Sequence, residues 1–202
     1  MIYYYPNRPI LIPPDPENPL NPTPFYIKKL EATAKFVAEQ KWNGDNTEIY
    51  TEDLSFWNRR GEKHRYVPTQ EILKSLNLFP KGSIINLELM HYRTKTIKHT
   101  MIVHSLLGWE GKSLIGKSWG DARLILEEFF RSKTWRKGGC DQVRLSPVWK
   151  SGFWDLFQQA DGEIIEGIIL KDPKGKLKIS ATKIPDVPWM MKIRKPSKKY
   201  QF

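Results

Sequence analysis

Two lysines stand in runs that can do phosphate chemistry. Lys41 opens Lys41-Trp42-Asn43-Gly44-Asp45-Asn46, with Glu39 just upstream, and Lys117 sits in Gly111-Lys112-Ser113-Leu114-Ile115-Gly116-Lys117-Ser118. A lysine amine acts on phosphate in one of two ways. Without its proton it is a nucleophile that bonds to phosphorus; protonated, it is a point charge reaching phosphates that a glycine-rich loop cradles through its backbone amides. The first way requires lowering an ordinary lysine pKa of about 10.4, which neighbouring positive charge does. Lys171, Lys192 and Arg194 supply such charge further along the chain, and Glu88 and Glu166 are carboxylates able to support a divalent metal. The same cations would also stabilise the charge of a phosphoryl transition state.

The elements that must position these groups can be read from spacing. Eight prolines between residues 6 and 24 exclude a helix or a central strand and predict an extended arm over residues 1–24. Ile27, Leu30 and Ala34 have helical spacing, after which Phe36-Val37-Ala38 reads as a short strand delivering Glu39 and Lys41 to its end. Paired strands are predicted over Glu48 to Trp57, a helix capped by Thr69 running to Leu76, and strands at Ile84 to Leu89 and Met101 to Leu107. Ser118 with Asp121 forms a capping-box start for a helix carrying Ala122, Ile125, Leu126 and Phe129 on one face. A Lys- and Gly-rich link follows. Phe153, Trp154 and Phe157 then mark a short helix, and Ile164 to Leu170 a strand. Strands and helices in this order lack a regular βαβ rhythm and predict an α+β fold of mixed, largely antiparallel sheets with flanking helices.

Composition bounds the partners. The 202 residues suit one folded domain, with 40% hydrophobic residues and eight Trp to fill a core. Lys and Arg number 33 against 22 Asp and Glu, a net charge of +11 that favours a polyanion; interleaved aromatics offer stacking surfaces for bases. Cys140 is the only cysteine, which excludes an intramolecular disulfide and a cysteine-rich metal cluster and fits a reducing compartment. No signal peptide and no apolar stretch of membrane-spanning length is visible, so a soluble, cytoplasmic monomer without a membrane partner is expected.

Taken in order, the lysine run, Asn58-Arg59-Arg60-Gly61, Glu88, Glu166-Gly167-Ile168-Ile169-Leu170-Lys171 and Lys192-Ile193-Arg194 resemble the adenylation domain of ATP-dependent polynucleotide ligases. These belong to a covalent nucleotidyltransferase superfamily shared with mRNA capping enzymes, and the resemblance covers residues 25–202. It implies that Lys41 is the nucleophile that becomes lysyl-AMP and that Glu39 contacts the adenine edge. It implies further that Arg59 binds the ribose and reacting phosphate, that Glu88 contacts ribose or metal, and that Glu166 supports Mg2+ or Mn2+. Lys171, Lys192 and Arg194 match the phosphate-binding cations. His104, in Val103-His104-Ser105-Leu106-Leu107-Gly108, takes a position where the family has an aromatic residue that stacks on adenine; Ser105 replaces the usual carboxylate, and a buried, hydrogen-bonded imidazole is the alternative role. Arg123 is either the arginine that follows this element or a helix surface cation. The implied substrates are ATP and nucleic acid with 5′-phosphate and 3′-hydroxyl ends.

Two departures bear on specificity. Asn43 replaces the Asp usual in DNA ligases, and Lys41-x-x-Gly44-x-Asn46 is closer to RNA ligases of phage and kinetoplastid type, so an RNA substrate is favoured. An OB-fold domain of the kind DNA ligases and capping enzymes carry is not expected after Tyr200. The rival reading makes Gly111 to Ser118 the phosphate loop of a P-loop NTPase, with Lys117 on the terminal phosphates and Ser118 on magnesium; it needs a parallel sheet that the following residues do not suggest. The third reading is a basic, non-catalytic protein that binds single-stranded nucleic acid.

Overall fold

The computed structural model describes residues 7–12, 23–178 and 186–195. Calls that fall on residues 1–6, 13–22 and beyond 195, including most of the proline-rich arm, lie outside the described residues. Along the chain the elements are β1 (Arg8–Leu11), α1 (Pro24–Ala32), β2 (Val37–Trp42), β3 (Asp45–Tyr50), β4 (Ser55–Asn58), α2 (Gln70–Leu76), β5 (Ile84–Met90) and β6 (Thr100–Trp109). They continue with β7 (Lys112–Ser113), α3 (Trp119–Arg131), α4 (Lys133–Gly138), β8 (Val143–Leu145), α5 (Phe153–Gln158), β9 (Ile165–Lys171) and β10 (Asp186–Arg194). They form two compact units, each with its own sheet.

The unit that carries Lys41, here the lysine unit, takes its described residues from 8–12, 23–43, 147–175 and 186–195. Its sheet has the order β1-β10-β9-β2, with β1 parallel to β10 and the other pairs antiparallel. Strand residues alternate between faces. Ala38, Ile168, Leu170, Met191 and Ile193 therefore share one face, which packs with Ile27 of α1 and Phe153, Leu156 and Phe157 of α5 into a buried apolar cluster. Thr23 caps α1 by accepting from the Tyr26 amide, with Pro24 at the first helical position where its missing N–H costs nothing. The Glu31 carboxylate accepts from the amides of Gly152 and Phe153, tying α1 to the start of α5.

The large unit, Gly44–Ser146 with residues 7 and 176–178, is built on the sheet order β4-β3-β5-β6-β7, antiparallel throughout, with β8 added parallel to β6. Ile49, Ile85, Leu87, Leu89, Met101 and Val103 are fully buried in it, as are Ile72 and Leu76 of α2 and Leu126 of α3. The capping box at the start of α3 is complete: Ser118 Oγ accepts from the Asp121 amide and the Asp121 carboxylate from the Ser118 amide.

Three local expectations change. The strand expected to end before Glu39 runs on to Trp42, so Glu39 and Lys41 are in-strand residues. The Lys- and Gly-rich link contains α4, capped by Ser132 and anchored by Trp135, which packs on Phe79, Phe129 and Phe130. Inside the proline-rich stretch, Arg8–Leu11 forms an edge strand, where Pro9 need not donate to a second neighbour.

Candidate functional site

The face of the lysine unit's sheet opposite its apolar cluster carries the charged side chains. Lys41 lies across from Gly167, and Gly167 from Arg194; Glu39 lies across from Ile169, and Ile169 from Lys192. Because cross-strand partners share a face, Glu39, Lys41, Lys171, Lys192 and Arg194 all project to the same side. Glu166 would point to the apolar side in a regular strand. It does not, because the register shifts after Lys41: Lys41 pairs with Gly167 and Trp42 with Ile165, leaving Glu166 as the extra residue of a β-bulge. The bulge turns the Glu166 carboxylate back to Lys41, whose Nζ donates to Oε2. Gly167 makes this possible. Its φ is 153°, and a Cβ there would stand 2.0 Å from the Ile193 carbonyl oxygen.

Two ion groups result. Glu166 Oε2 takes Lys41 Nζ and lies 3.0 Å from Arg194 Nε. Lys171 Nζ donates to Glu39 Oε2 at 3.0 Å, with both side chains 3% exposed. Lys192 completes the row. Burial first, then the charges of Arg194 and Lys41 and, further off, Arg8, hold its ammonium below the ordinary lysine value, with Asp186 opposing. The cationic pocket expected around Lys41 thus contains a carboxylate at its centre, and Lys171 spends its charge on Glu39.

The large unit holds the remaining candidates. Glu88 Oε1 accepts from the Gly44 amide at 3.0 Å. A Cβ on Gly44 would fall 2.6 Å from the Leu89 oxygen and 2.7 Å from Glu88 Cγ, so the glycine of the lysine run is required by the close approach of β3 and β5. Asn46 and Asn86 exchange side-chain amide bonds at 3.2 and 3.4 Å, and Asn46 Nδ2 lies 3.5 Å from His104 Nε2. His104 is part-buried beside these amides, and its carbonyl accepts from the Trp119 indole. Arg59 is exposed in a turn whose Asn58 Oδ1 accepts from the amides of Arg60 and Glu62. Arg123 is neither a surface cation nor an open ligand: it is buried, with Nη2 on the Ser146 carbonyl and Nε on Glu127.

No known protein-family profile matches the chain. No curated protein matches it in sequence either. Solved structures do. A Lig E DNA ligase, studied as DNA binding with a minimal scaffold, superposes with a TM-score of 0.57 at 11% identity over 80% of this chain and 62% of that one. The adenylated DNA ligase of Chlorella virus gives 0.56 at 14% identity over 94% of this chain and 68% of its own. The ATP-dependent DNA ligase of bacteriophage T7, in complex with ATP, gives 0.52 at 14% over the same shares. This is the ligase nucleotidyltransferase fold. The chain spans 62% of the Lig E structure's length. These three are DNA ligases, whereas the lysine run pointed to RNA ligases.

Within the ligase fold, the Walker-like run has another job. Lys112 and Ser113 return as β7 along β6, pairing antiparallel with Trp109 and Gly108. The amides of Leu114, Gly116 and Lys117 donate to Leu107, Leu177 and Leu114 carbonyls, those of Ile115 and Ser118 to Ser113 Oγ and Asp121. A phosphate cradle needs these donors free and converging on a ligand. They are spent on a hairpin and a helix cap, so the P-loop reading is corrected.

Two residues that sequence reading passed over belong to the polar side of β3 and β5. Asn86 locks Asn46, and Glu48, paired across the strands with Asn86 and Trp57, is fully buried. Polar residues alternating inside strands otherwise rich in Ile and Leu were the available signal. Among the described residues no group of three or more His, Cys, Asp or Glu side chains is placed to hold a metal. Glu166 is a single carboxylate already shared by two cations. That donor set does not build a resident metal site; it suits magnesium, which typically binds through one or two carboxylates together with substrate phosphates.

Proposed function

We propose that the chain is an ATP-dependent polynucleotide ligase module that adenylates itself on Lys41. The observation that carries the reading is the Lys41 amine lodged against Glu166, with Arg194 on the same carboxylate and Lys192 on the same face. Lys41 Nζ, its ammonium proton passed towards Glu166, attacks the α-phosphorus of ATP. The N–P bond forms as the bond to pyrophosphate breaks. Lys192 and Arg194 offset the charge that develops on the phosphoryl oxygens. A 5′-phosphate oxygen then attacks the lysyl-AMP phosphorus, freeing the amine, and a 3′-hydroxyl displaces AMP to seal the strand.

Glu39 is assigned to the adenine edge, Arg59 and Glu88 to the ribose and phosphates, and His104 to the base. Magnesium or manganese, arriving on the phosphates of ATP with Glu166 and Glu88 as protein carboxylates, supplies charge neutralisation. The Lys41-x-x-Gly44-x-Asn46 pattern favours RNA ends, and the likeness to DNA ligases supports the module rather than the strand type. A monomer in the cytoplasm is the expected setting.

Incubation with ATP labelled at the α-phosphate, followed by denaturing electrophoresis, tests this. An acid-labile label that disappears in Lys41→Ala supports a ligase. Absence of covalent label, with binding to nucleic acid retained, would leave a non-catalytic binder. Joining assays on nicked duplex and single-stranded RNA and DNA then assign the strand.

A further inference from the structure

Three of the chain's four histidines meet in one place on the large unit. The connection from β4 to α2 carries Arg59, Arg60, Lys63, His64, Arg65 and Tyr66, and the connection from β5 to β6 carries His91, Tyr92, Arg93, Lys95, Lys98 and His99. Rings join the two. His91 lies 4.3 Å from His99, 4.6 Å from Tyr92 and 5.1 Å from Tyr66 between centroids, and His64 stacks on Tyr92 at 5.8 Å. Tyr66 Oη is 3.1 Å from His99 Nδ1. Outside this seam the seven Lys and Arg side chains of the two connections are exposed, with Glu62 as their one carboxylate, and Tyr92 is 53% exposed. Arg93 is paired with Asp45.

The imidazoles are held in their uncharged form by geometry. His64 Nδ1 accepts from the Tyr66 amide at 3.1 Å and His91 Nδ1 from the His99 amide at 3.4 Å, and a nitrogen that accepts carries no proton. Burial also holds His64 and His91 below the ordinary histidine value. The neighbours His99, Lys98 and His64 add to this at His91, while Asp45 opposes it at His64. Tyr66, Tyr92, Lys98 and Asp45, with Cys140 near Tyr66, complete the titratable surroundings. No carboxylate among them sits on the cluster to fix it as charged.

We propose that residues 59–66 and 91–99 form one binding surface for a nucleic-acid phosphate backbone, in which His64, His91 and His99 gain positive charge when the strand is bound. Exposed cations and a stackable Tyr92 match a phosphate chain with unpaired bases. A polyanion laid along them favours protonation of the imidazoles beneath, so binding takes up protons and tightens as the pH falls from about 8 to about 6. This deepens the ligase reading by assigning its strand-binding surface, and it uses no residue of the lysine unit.

The test measures fluorescence anisotropy of a labelled single-stranded oligonucleotide, and of its duplex, with the full chain over a range of salt and pH. In Lys63→Ala/Arg65→Ala/Lys95→Ala/Lys98→Ala the slope of log affinity against log salt should fall by up to about 3, at about 0.7–0.9 per lost contact. Lys112→Ala/Lys133→Ala/Arg136→Ala/Lys137→Ala removes equal charge elsewhere on the unit and should change the slope less. His64→Gln/His91→Gln/His99→Gln should abolish the acid tightening. Should the first variant fold poorly, by the loss of cooperative thermal unfolding, Lys95→Glu/Lys98→Glu on exposed positions replaces it. Equal slopes for the two charge-deleted variants, or acid tightening that survives the histidine replacement, overturn the proposal. Lys41 labelling is read in parallel, so loss of label with the binding pattern intact faults the ligase reading, and the converse faults this surface.

Discussion

Gly167 and Ile193 approach so closely across β9 and β10 that a single added carbon on Gly167 would stand 2.0 Å from the Ile193 carbonyl oxygen. The same glycine follows the bulged Glu166, so backbone geometry and the Lys41–Glu166 contact are one feature. Gly167→Ala should therefore distort the bulge, at a strain cost of about 1–3 kcal/mol, and lower Lys41 labelling more than it lowers the melting temperature of α1 and α5. Hydrogen exchange, read strand by strand, separates these effects.

Glu39 and Lys171 form a buried pair, and breaking such a pair leaves an uncompensated charge. Lys171→Met alone should cost about 3–5 kcal/mol in denaturant unfolding. Glu39→Met/Lys171→Met should recover most of it. If the double variant is stable yet unable to take label, both residues touch the nucleotide as well as each other.

Glu48 is fully buried and its carboxyl is pushed well above the ordinary range by burial, the Tyr50 hydrogen bond opposing. A raised folded value means the native state holds a proton that the unfolded chain sheds, so stability drops as pH rises above about 4.3, the ordinary glutamate value. Glu48→Gln keeps the shape without the titration. Its melting temperature should exceed that of the wild type at pH 8 and converge with it near pH 4.

For His64 and His91 the direction is reversed. Both are held below the ordinary histidine value, so the unfolded chain binds more protons than the native one between that value and theirs. Stability of the large unit should be complete above about pH 7 and decline on acidification through about pH 6, and His64→Gln/His91→Gln should flatten that decline.

Much of this was legible where signals are local. Ser118 and Asp121 announced α3, Thr69 announced α2, and the alternation Ile168, Leu170 against Ile169, Lys171 announced which side of β9 is apolar. The pairing of β1 with β10 was not legible, because parallel partners far apart in sequence leave no local trace and prolines at 9 and 188 disguise both strands. At the site, the order of Lys41, Glu166 and Lys192 was readable. The turning of Glu166 by a bulge was not, since a register shift belongs to two strands at once. Gly111 to Ser118 misled for the opposite reason: its glycines serve a hairpin and a loop at positive φ, the same local requirement a phosphate cradle has.

The hairpin assignment has its own consequence. Lys117→Ala should leave ATP-dependent labelling at the wild-type level, because its amide, not its side chain, holds the loop.

The central claim is that the Lys41 amine bonds to phosphorus. Mass spectrometry of the chain incubated with ATP and magnesium, digested under alkaline conditions that preserve phosphoramides, reads this directly. The expected result is the peptide containing Lys41 heavier by one AMP, with fragmentation placing the addition on Lys41 and its loss in Lys41→Ala. AMP on another residue, or an unmodified Lys41 peptide while ATP is consumed, would contradict it.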